Sequence, residues 1–87
     1  MTNVELTLIG KPGCHLCDDA RDVIRSVIAE LPAGAPAVTI GERNILEDAE
    51  LHDRYVEEIP VVLIDGRVHT YWRVDPARLR TALLGAE

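Results

Sequence analysis

Phenylalanine is absent from this 87-residue chain, and its only aromatic residues are Tyr55, Tyr71 and Trp72. Aliphatic residues must therefore build the core, and with 47% of all residues hydrophobic they suffice for a single domain spanning residues 1–87. No apolar run approaches the ~20 residues that a membrane span needs. The N-terminus also lacks a charged segment followed by an apolar stretch. We therefore expect a cytoplasmic protein that does not associate with membranes.

Positive charge is also scarce. The chain has 9 Lys and Arg residues against 15 Asp and Glu residues, which gives a formal net charge of −6. Such a surface repels the phosphates of nucleic acids and of anionic lipids. The composition therefore argues against nucleic acid and an anionic membrane surface as partners.

Cysteine occurs only twice, as Cys14 and Cys17. Upstream, apolar and polar residues alternate over 4–9, which predicts a strand, and Pro12-Gly13 then interrupts the chain. Downstream, apolar residues recur every three or four positions from Cys17 to Leu31, which predicts one face of a helix. Cys14 should lie at or near the start of that helix, where unpaired N–H groups and the positive end of the dipole stabilise a thiolate.

This arrangement favours redox chemistry, because the thiolate is the nucleophile in thiol exchange and a C-x-x-C between a strand and a helix is a redox signature. Cys14 would be exposed, and Cys17, almost one turn later, would point inward and lie close enough to close a disulfide. Zinc would need further ligands, such as a second C-x-x-C, and His52 and His69 are isolated in the sequence. We therefore expect no metal and no bound cofactor. The alternative is a non-enzymatic adaptor, or a metal or iron–sulfur carrier that uses the same two cysteines.

The middle of the chain predicts a second strand and a short helix. Residues 37–40 are apolar or β-branched, and this strand should run parallel to the first because a helix connects them. Residues from about Glu47 to Val56 combine Leu51 and Tyr55 at helical spacing with many charges, which indicates an amphipathic helix.

The last third predicts a hairpin followed by a helix. The continuous apolar run 61–64 suits a strand covered on both faces, and Asp65-Gly66 is a strong hairpin signal. Alternation continues from Arg67 to Trp72, and we expect Trp72 to pack against the fold and His69 to be exposed. Asp75-Pro76 should begin the last helix as N-cap and first residue, which completes the order β-α-β-α-β-β-α.

Taken together, these motifs resemble the glutaredoxin branch of the thioredoxin-fold proteins, in particular a small bacterial glutaredoxin-like family. The segments that carry the resemblance are residues 11–17 after the first strand, Tyr55 with residues 59–62, and the dipeptides Asp65-Gly66 and Asp75-Pro76. The resemblance implies an α/β fold with a four-stranded mixed sheet flanked by helices. It also implies that Cys14 is the nucleophile and Cys17 the resolving thiol.

The same resemblance implies the substrate-binding residues. Pro60 would be a cis-proline whose loop faces the cysteines, and the backbone of Ile59 would be free to pair with an extended substrate. Lys11 matches the lysine that contacts the glycine carboxylate of glutathione in glutaredoxins. However, Glu58 replaces the threonine two positions before the proline, and no glycine pair follows the hairpin.

The implied activity is that of a monomeric thiol–disulfide oxidoreductase. Its substrate would be a disulfide-containing protein or a small thiol, with glutathione or a thioredoxin-type reductase as candidate reductants. The departures from the family pattern, together with the carboxylates of Glu57 and Glu58, argue against the anionic tripeptide glutathione and favour a cationic protein partner.

Overall fold

The computed structural model describes residues 3–85, which form a mixed sheet with helices on both faces in the predicted order. Its elements, in chain order, are β1 (Asn3–Gly10), α1 (His15–Ala29), β2 (Ala37–Asn44), a 3-10 helix (Ile45–Glu47), α2 (Ala49–Tyr55), β3 (Val61–Ile64), β4 (Arg67–Tyr71) and α3 (Pro76–Gly85). The predicted fold class is confirmed.

The four strands lie in the order β2-β1-β3-β4. The pairing of β1 with β2 is parallel, as expected for a strand–helix–strand unit, whereas β3 runs antiparallel to both β1 and β4. In the β1–β3 register Ile9 lies opposite Val61. The end of β1, which leads to Cys14, therefore meets the start of β3, which follows Pro60.

Both faces of the sheet are covered, as the continuous apolar run in β3 predicts. Successive side chains of a strand point to opposite faces of the sheet, so β1 and β3 each contribute residues to two separate clusters. The larger cluster joins β1 and β3 to α1 and α3, and its buried members are Val4, Leu6, Leu8, Ala20, Ile24, Val27, Val62, Leu79 and Leu83. The smaller cluster lies on the other face, under α2, and its buried members are Ile9, Ile45, Tyr55 and Val61.

The regular alternation predicted for β4 is wrong. Thr70 pairs with Val62 and Val68 pairs with Leu63, so the intervening His69 forms a bulge. His69 is half-buried rather than exposed, and its Nε2 atom has no hydrogen-bond partner within residues 3–85. Burial and the positive charge of Arg78 lower the pKa of His69. The strand ends at Tyr71, so Trp72 lies outside it.

The helix boundaries follow from their capping residues. The Asp48 side chain accepts hydrogen bonds from the N–H groups of Glu50 and Leu51, and α2 therefore begins at Ala49, two residues later than predicted. Asp75 caps α3 in the same way, as predicted. Of the helices within residues 3–85, none is long and apolar enough to cross a membrane.

Candidate active site

Cys14 is the N-cap residue of α1. Its backbone is extended, with φ −97° and ψ 112°, and its Sγ accepts a hydrogen bond from the backbone N–H of Cys17 at 3.3 Å. The preceding Gly13 has φ 77°, a left-handed conformation that glycine adopts without strain, and this turn brings the chain from β1 into the helix. The first turn of the helix thus donates one N–H group, that of Cys17, to the sulfur of Cys14, which lies at the helix start as the sequence predicts.

The two thiols differ in exposure. Cys14 is partly exposed, whereas only 1% of Cys17 is accessible. Burial, together with the hydrogen bond and charge of Cys14, raises the pKa of Cys17 to about 11, although the backbone N–H of Lys11 and the charge of Arg21 act in the opposite direction. Cys17 is therefore a protonated, protected thiol at neutral pH, lying behind an accessible one.

The peptide bond between Ile59 and Pro60 is cis, as the resemblance implies. Pro60 is buried, and its carbonyl oxygen accepts a hydrogen bond from the backbone N–H of Trp72 at 2.7 Å. Glu58 donates its backbone N–H to the Tyr55 carbonyl at 2.8 Å. Between these two fixed residues, the backbone N–H and C=O of Ile59 take part in none of the hydrogen bonds formed within residues 3–85.

Lys11 lies on the opposite side of the dithiol, in a groove of about 350 Å³ between α1 and the end of β2. The groove reaches Cys17, and its polar lining residues are Lys11, Arg21, Glu42, Arg43, Asn44 and Glu47. Cationic and anionic side chains are mixed there, so the groove does not present the purely positive surface that a carboxylate ligand would favour.

Arg21 is the best-anchored charged residue of this groove. Its Nε and Nη2 atoms donate to the two carboxylate oxygens of Glu42, each at 2.9 Å, and its Nη1 donates to Asp18 at 2.9 Å. Glu42 and Asp18 raise the pKa of Arg21, and the guanidinium of Arg21 lowers the pKa of Glu42. The sequence analysis missed this pair. Arg21 follows Cys17 by four positions on the helix, which was the available signal, but its partner on β2 is visible only from the strand register.

Trp72 also differs from the expectation drawn from the sequence, which was that it packs against the fold. More than half of its surface is exposed, and its indole N–H donates to the Glu57 carbonyl at 3.1 Å. It is therefore not a packing residue of the core. Within residues 3–85, no group of three or more His, Cys, Asp and Glu side chains is arranged to hold a metal ion.

Comparison with known proteins identifies the family. The model of the family described as "Glutaredoxin-like domain (DUF836)" matches residues 5–84. The uncharacterized proteins Rv0508 of Mycobacterium tuberculosis and Mb0520 of Mycobacterium bovis are each 29% identical to this chain over 80 residues, which cover 92% of this chain and 82% of theirs.

Two solved structures share the fold. The crystal structure of protein XcR50 from X. campestris superimposes with a TM-score of 0.73 and 32% identity, covering 94% of this chain and 99% of the other. The solution structure of protein Ne2328 from Nitrosomonas europaea superimposes with a TM-score of 0.77 at 19% identity, covering 95% and 94% of the two chains. With a family model that covers almost the whole chain and a dithiol at the start of its first helix, this chain belongs to the glutaredoxin-like (DUF836) family.

Proposed function

We propose that the protein is a thiol–disulfide oxidoreductase that reduces or exchanges disulfides through Cys14 and Cys17. The observation that carries this proposal is the asymmetry of the two thiols: Cys14 is accessible at the helix N-cap, and Cys17 lies buried one turn behind it. An accessible nucleophile and a protected second thiol are what a two-step exchange requires.

In the first step the thiolate of Cys14 attacks one sulfur of the substrate disulfide. The substrate S–S bond breaks, a mixed disulfide forms on Cys14, and the first product leaves as a thiolate that takes up a proton. The N–H group of Cys17, which already points at Cys14 Sγ, stabilises negative charge on that sulfur before the attack.

In the second step Cys17 loses its proton to solvent and attacks Cys14 Sγ, and the second product leaves as a thiolate. Two electrons have then passed from the dithiol to the substrate, and the protein holds a Cys14–Cys17 disulfide. Burial raises the pKa of the Cys17 thiol, so only a small fraction of it is ionised at neutral pH. The attack proceeds because the two sulfurs are held together in one helical turn, which makes the reaction intramolecular.

The substrate is best accounted for as a protein disulfide. The backbone groups of Ile59, which are unpaired within residues 3–85 and adjoin the cis-proline, suit hydrogen bonding to an extended segment of a substrate. Lys11 would meet a carboxylate of a small thiol, but Glu42 and Glu47 share its groove and weaken that attraction. A thiol reductant or a thioredoxin-type reductase must reopen the disulfide, and a reducing compartment such as the cytoplasm supplies either one. We place the protein there, acting as a monomer.

Single-turnover reduction of hydroxyethyl disulfide by the pre-reduced protein tests the proposal. The wild type should release two equivalents of thiol and lose two hydrogens in mass. Cys17→Ser should stop at a mixed disulfide on Cys14, and Cys14→Ser should release no thiol. A stable mixed disulfide on Cys17, with release of one equivalent of thiol by Cys14→Ser, would reverse the proposed roles.

A further inference from the structure

Trp72 has an unusual backbone for a bulky residue. Its φ is 64°, in the left-handed region that residues with large side chains rarely adopt. The N–H of Arg73 donates to the carbonyl of Tyr71 at 2.7 Å, so Trp72 is the central residue of a strained three-residue turn. Such strain persists only where the surrounding structure enforces it, and it concentrates at binding and catalytic sites.

Two hydrogen bonds tie Trp72 to the loop that carries the cis-proline. Its backbone N–H binds the Pro60 carbonyl at 2.7 Å, and its indole N–H binds the Glu57 carbonyl at 3.1 Å. The ring is thereby fixed at the edge of the dithiol site, yet 54% of the residue remains exposed. A tryptophan that served only for packing would be covered instead.

The fixed ring forms one wall of a groove. Leu16, which lies between the two cysteines and is itself exposed, forms the opposite side, and Ala20 and Val23 of α1 contribute apolar surface. The groove measures about 190 Å³. It can therefore accommodate one apolar side chain, and Leu16 in its lining is two positions from Cys14 in the chain.

Charged residues surround the groove. Asp19 and Arg73 line it, and the indole N–H of Trp72 binds the backbone carbonyl of Glu57, which Glu58 follows in the chain. None of these three carboxylates forms an ion pair within residues 3–85, and Arg73 is the one cationic side chain of the lining. The unpaired negative charge complements a basic ligand.

From this placement we infer that the groove between Leu16 and Trp72 is a docking site for the protein substrate, specifically for an extended basic segment with an apolar residue next to its disulfide cysteine. The inference rests on the proposed function, since it names the substrate that Cys14 attacks. The apolar residue enters the groove, and a neighbouring Lys or Arg meets Asp19 and Glu57.

A competition between tethered peptides tests the inference. Cys17→Ser protein is equilibrated in a thiol buffer with equal amounts of the peptides Lys-Leu-Cys-Lys and Lys-Ser-Cys-Lys, and the two adducts on Cys14 are counted by mass spectrometry. We expect the leucine adduct to exceed the serine adduct by about tenfold, since the groove buries one leucine side chain. Leu16→Ala and Trp72→Ala should each bring the ratio close to one. Leu84→Ala, an equally exposed leucine on α3, should leave it unchanged.

Fluorescence locates the occupant, because Trp72 is the only tryptophan of the chain. Tethering the leucine peptide should lower acrylamide quenching of Trp72, since part of its exposed surface, 54% of the residue, becomes covered, and tethering the serine peptide should not. Replacing both lysines of the leucine peptide with glutamate should reduce its share of the adducts, and added salt should narrow that difference. Equal adduct yields for leucine and serine, or a preference that survives in Trp72→Ala and Leu16→Ala, would overturn the inference.

The tethering needs only an accessible Cys14, because peptides activated as thiopyridyl disulfides attach to any exposed thiol. A protein that fails to reduce hydroxyethyl disulfide but still prefers the leucine peptide would refute the proposed function and leave the docking site standing. A protein that reduces hydroxyethyl disulfide without any peptide preference would support the proposed function and refute the docking site.

Discussion

Gly10 and Cys17 are in direct contact: a Cβ built on Gly10 would lie 2.7 Å from Cys17 Sγ and 3.2 Å from its Cβ. The buried thiol of Cys17 occupies the space that a side chain at Gly10, the last residue of β1, would need. Gly10→Ala should displace Cys17 and cost about 1–3 kcal/mol, as overpacking does. The free energy of unfolding from chemical denaturation measures this. Gly41→Ala in β2 meets no atom within 4 Å and serves as the matched control. Equal effects of the two substitutions would show that the contact is not restrictive.

Alkylation should distinguish the two thiols by pH. In the native, reduced protein, iodoacetamide should label Cys14 near neutral pH and spare Cys17, which is buried and has a pKa raised to about 11. Labelling of Cys17 should rise only as the pH approaches that value or when the protein unfolds. Peptide mapping by mass spectrometry after timed quenching gives the two rates. Faster labelling of Cys17 at neutral pH would contradict the assignment of the nucleophile.

The Arg21–Glu42 pair should contribute a pH-dependent part of the stability. Arg21 lowers the pKa of Glu42 in the folded state, so the pair stabilises the protein above the ordinary pKa of glutamate, and this contribution disappears as the pH falls through the folded-state value. Glu42→Gln should therefore lower stability near pH 7 by about 0.2–1 kcal/mol, the range for exposed ion pairs. The same substitution should also make the free energy of unfolding fall less steeply as the pH is lowered. Thermal melts between neutral and acidic pH measure both effects, with Glu30→Gln as the control at an exposed position that forms no ion pair within residues 3–85. If the stability of Glu42→Gln falls with pH in the same way as that of the wild type, the Arg21–Glu42 pair makes no pH-dependent contribution.

Glutathione should be a poor electron donor. Capture of the anionic tripeptide requires positive charge and backbone donors near Cys14. Lys11 supplies one charge, but no glycine pair follows the hairpin, and the acidic residues Glu57 and Glu58 precede the cis-proline. Each charge-assisted hydrogen bond that is missing weakens binding by about 1.5–3 kcal/mol. Turnover of hydroxyethyl disulfide at millimolar glutathione should therefore be slow.

Glu58→Thr should partly restore glutathione use, because it removes a charge and places there the residue that glutathione-binding glutaredoxins carry. Glu57→Thr is the control for the loss of charge alone. Robust turnover by the wild type, or equal gains in both variants, would show that residue 58 does not set the specificity.

The sequence was sufficient where a local signal determines the structure. Pro12-Gly13 separates an alternating strand from a helical stripe, which placed Cys14 at the start of α1, and the Asp75-Pro76 pair set the start of α3. The cis bond at Pro60 is different, since nothing local in the sequence indicates it and only the likeness to glutaredoxins did so.

The features that the sequence did not reveal depend on register between strands. The bulge at His69 arises where β4 pairs with β3, and the alternation of apolar residues on one strand contains no information about a shift in its partner. The strand β4 ends before Trp72 because its partner β3 begins at Val61, opposite Tyr71, and Trp72 itself has a φ of 64°. Arg21 and Glu42 are 21 positions apart and meet only because β2 lies beside β1.

The hydrogen bond from the Cys17 N–H to Cys14 Sγ makes the first turn of α1 depend on the sulfur that we propose as the nucleophile. Capping stabilises a helix, so any change of charge or bonding at that sulfur alters the stability of the chain as well as its reactivity. Folding and oxidation then form a thermodynamic cycle. Whatever free energy the cap adds to the reduced, folded protein also opposes closure of the disulfide, as in oxidoreductases whose reduced form is the more stable one. In the proposed oxidoreductase, a stronger capping hydrogen bond would therefore shift the equilibrium from the Cys14–Cys17 disulfide towards the dithiol.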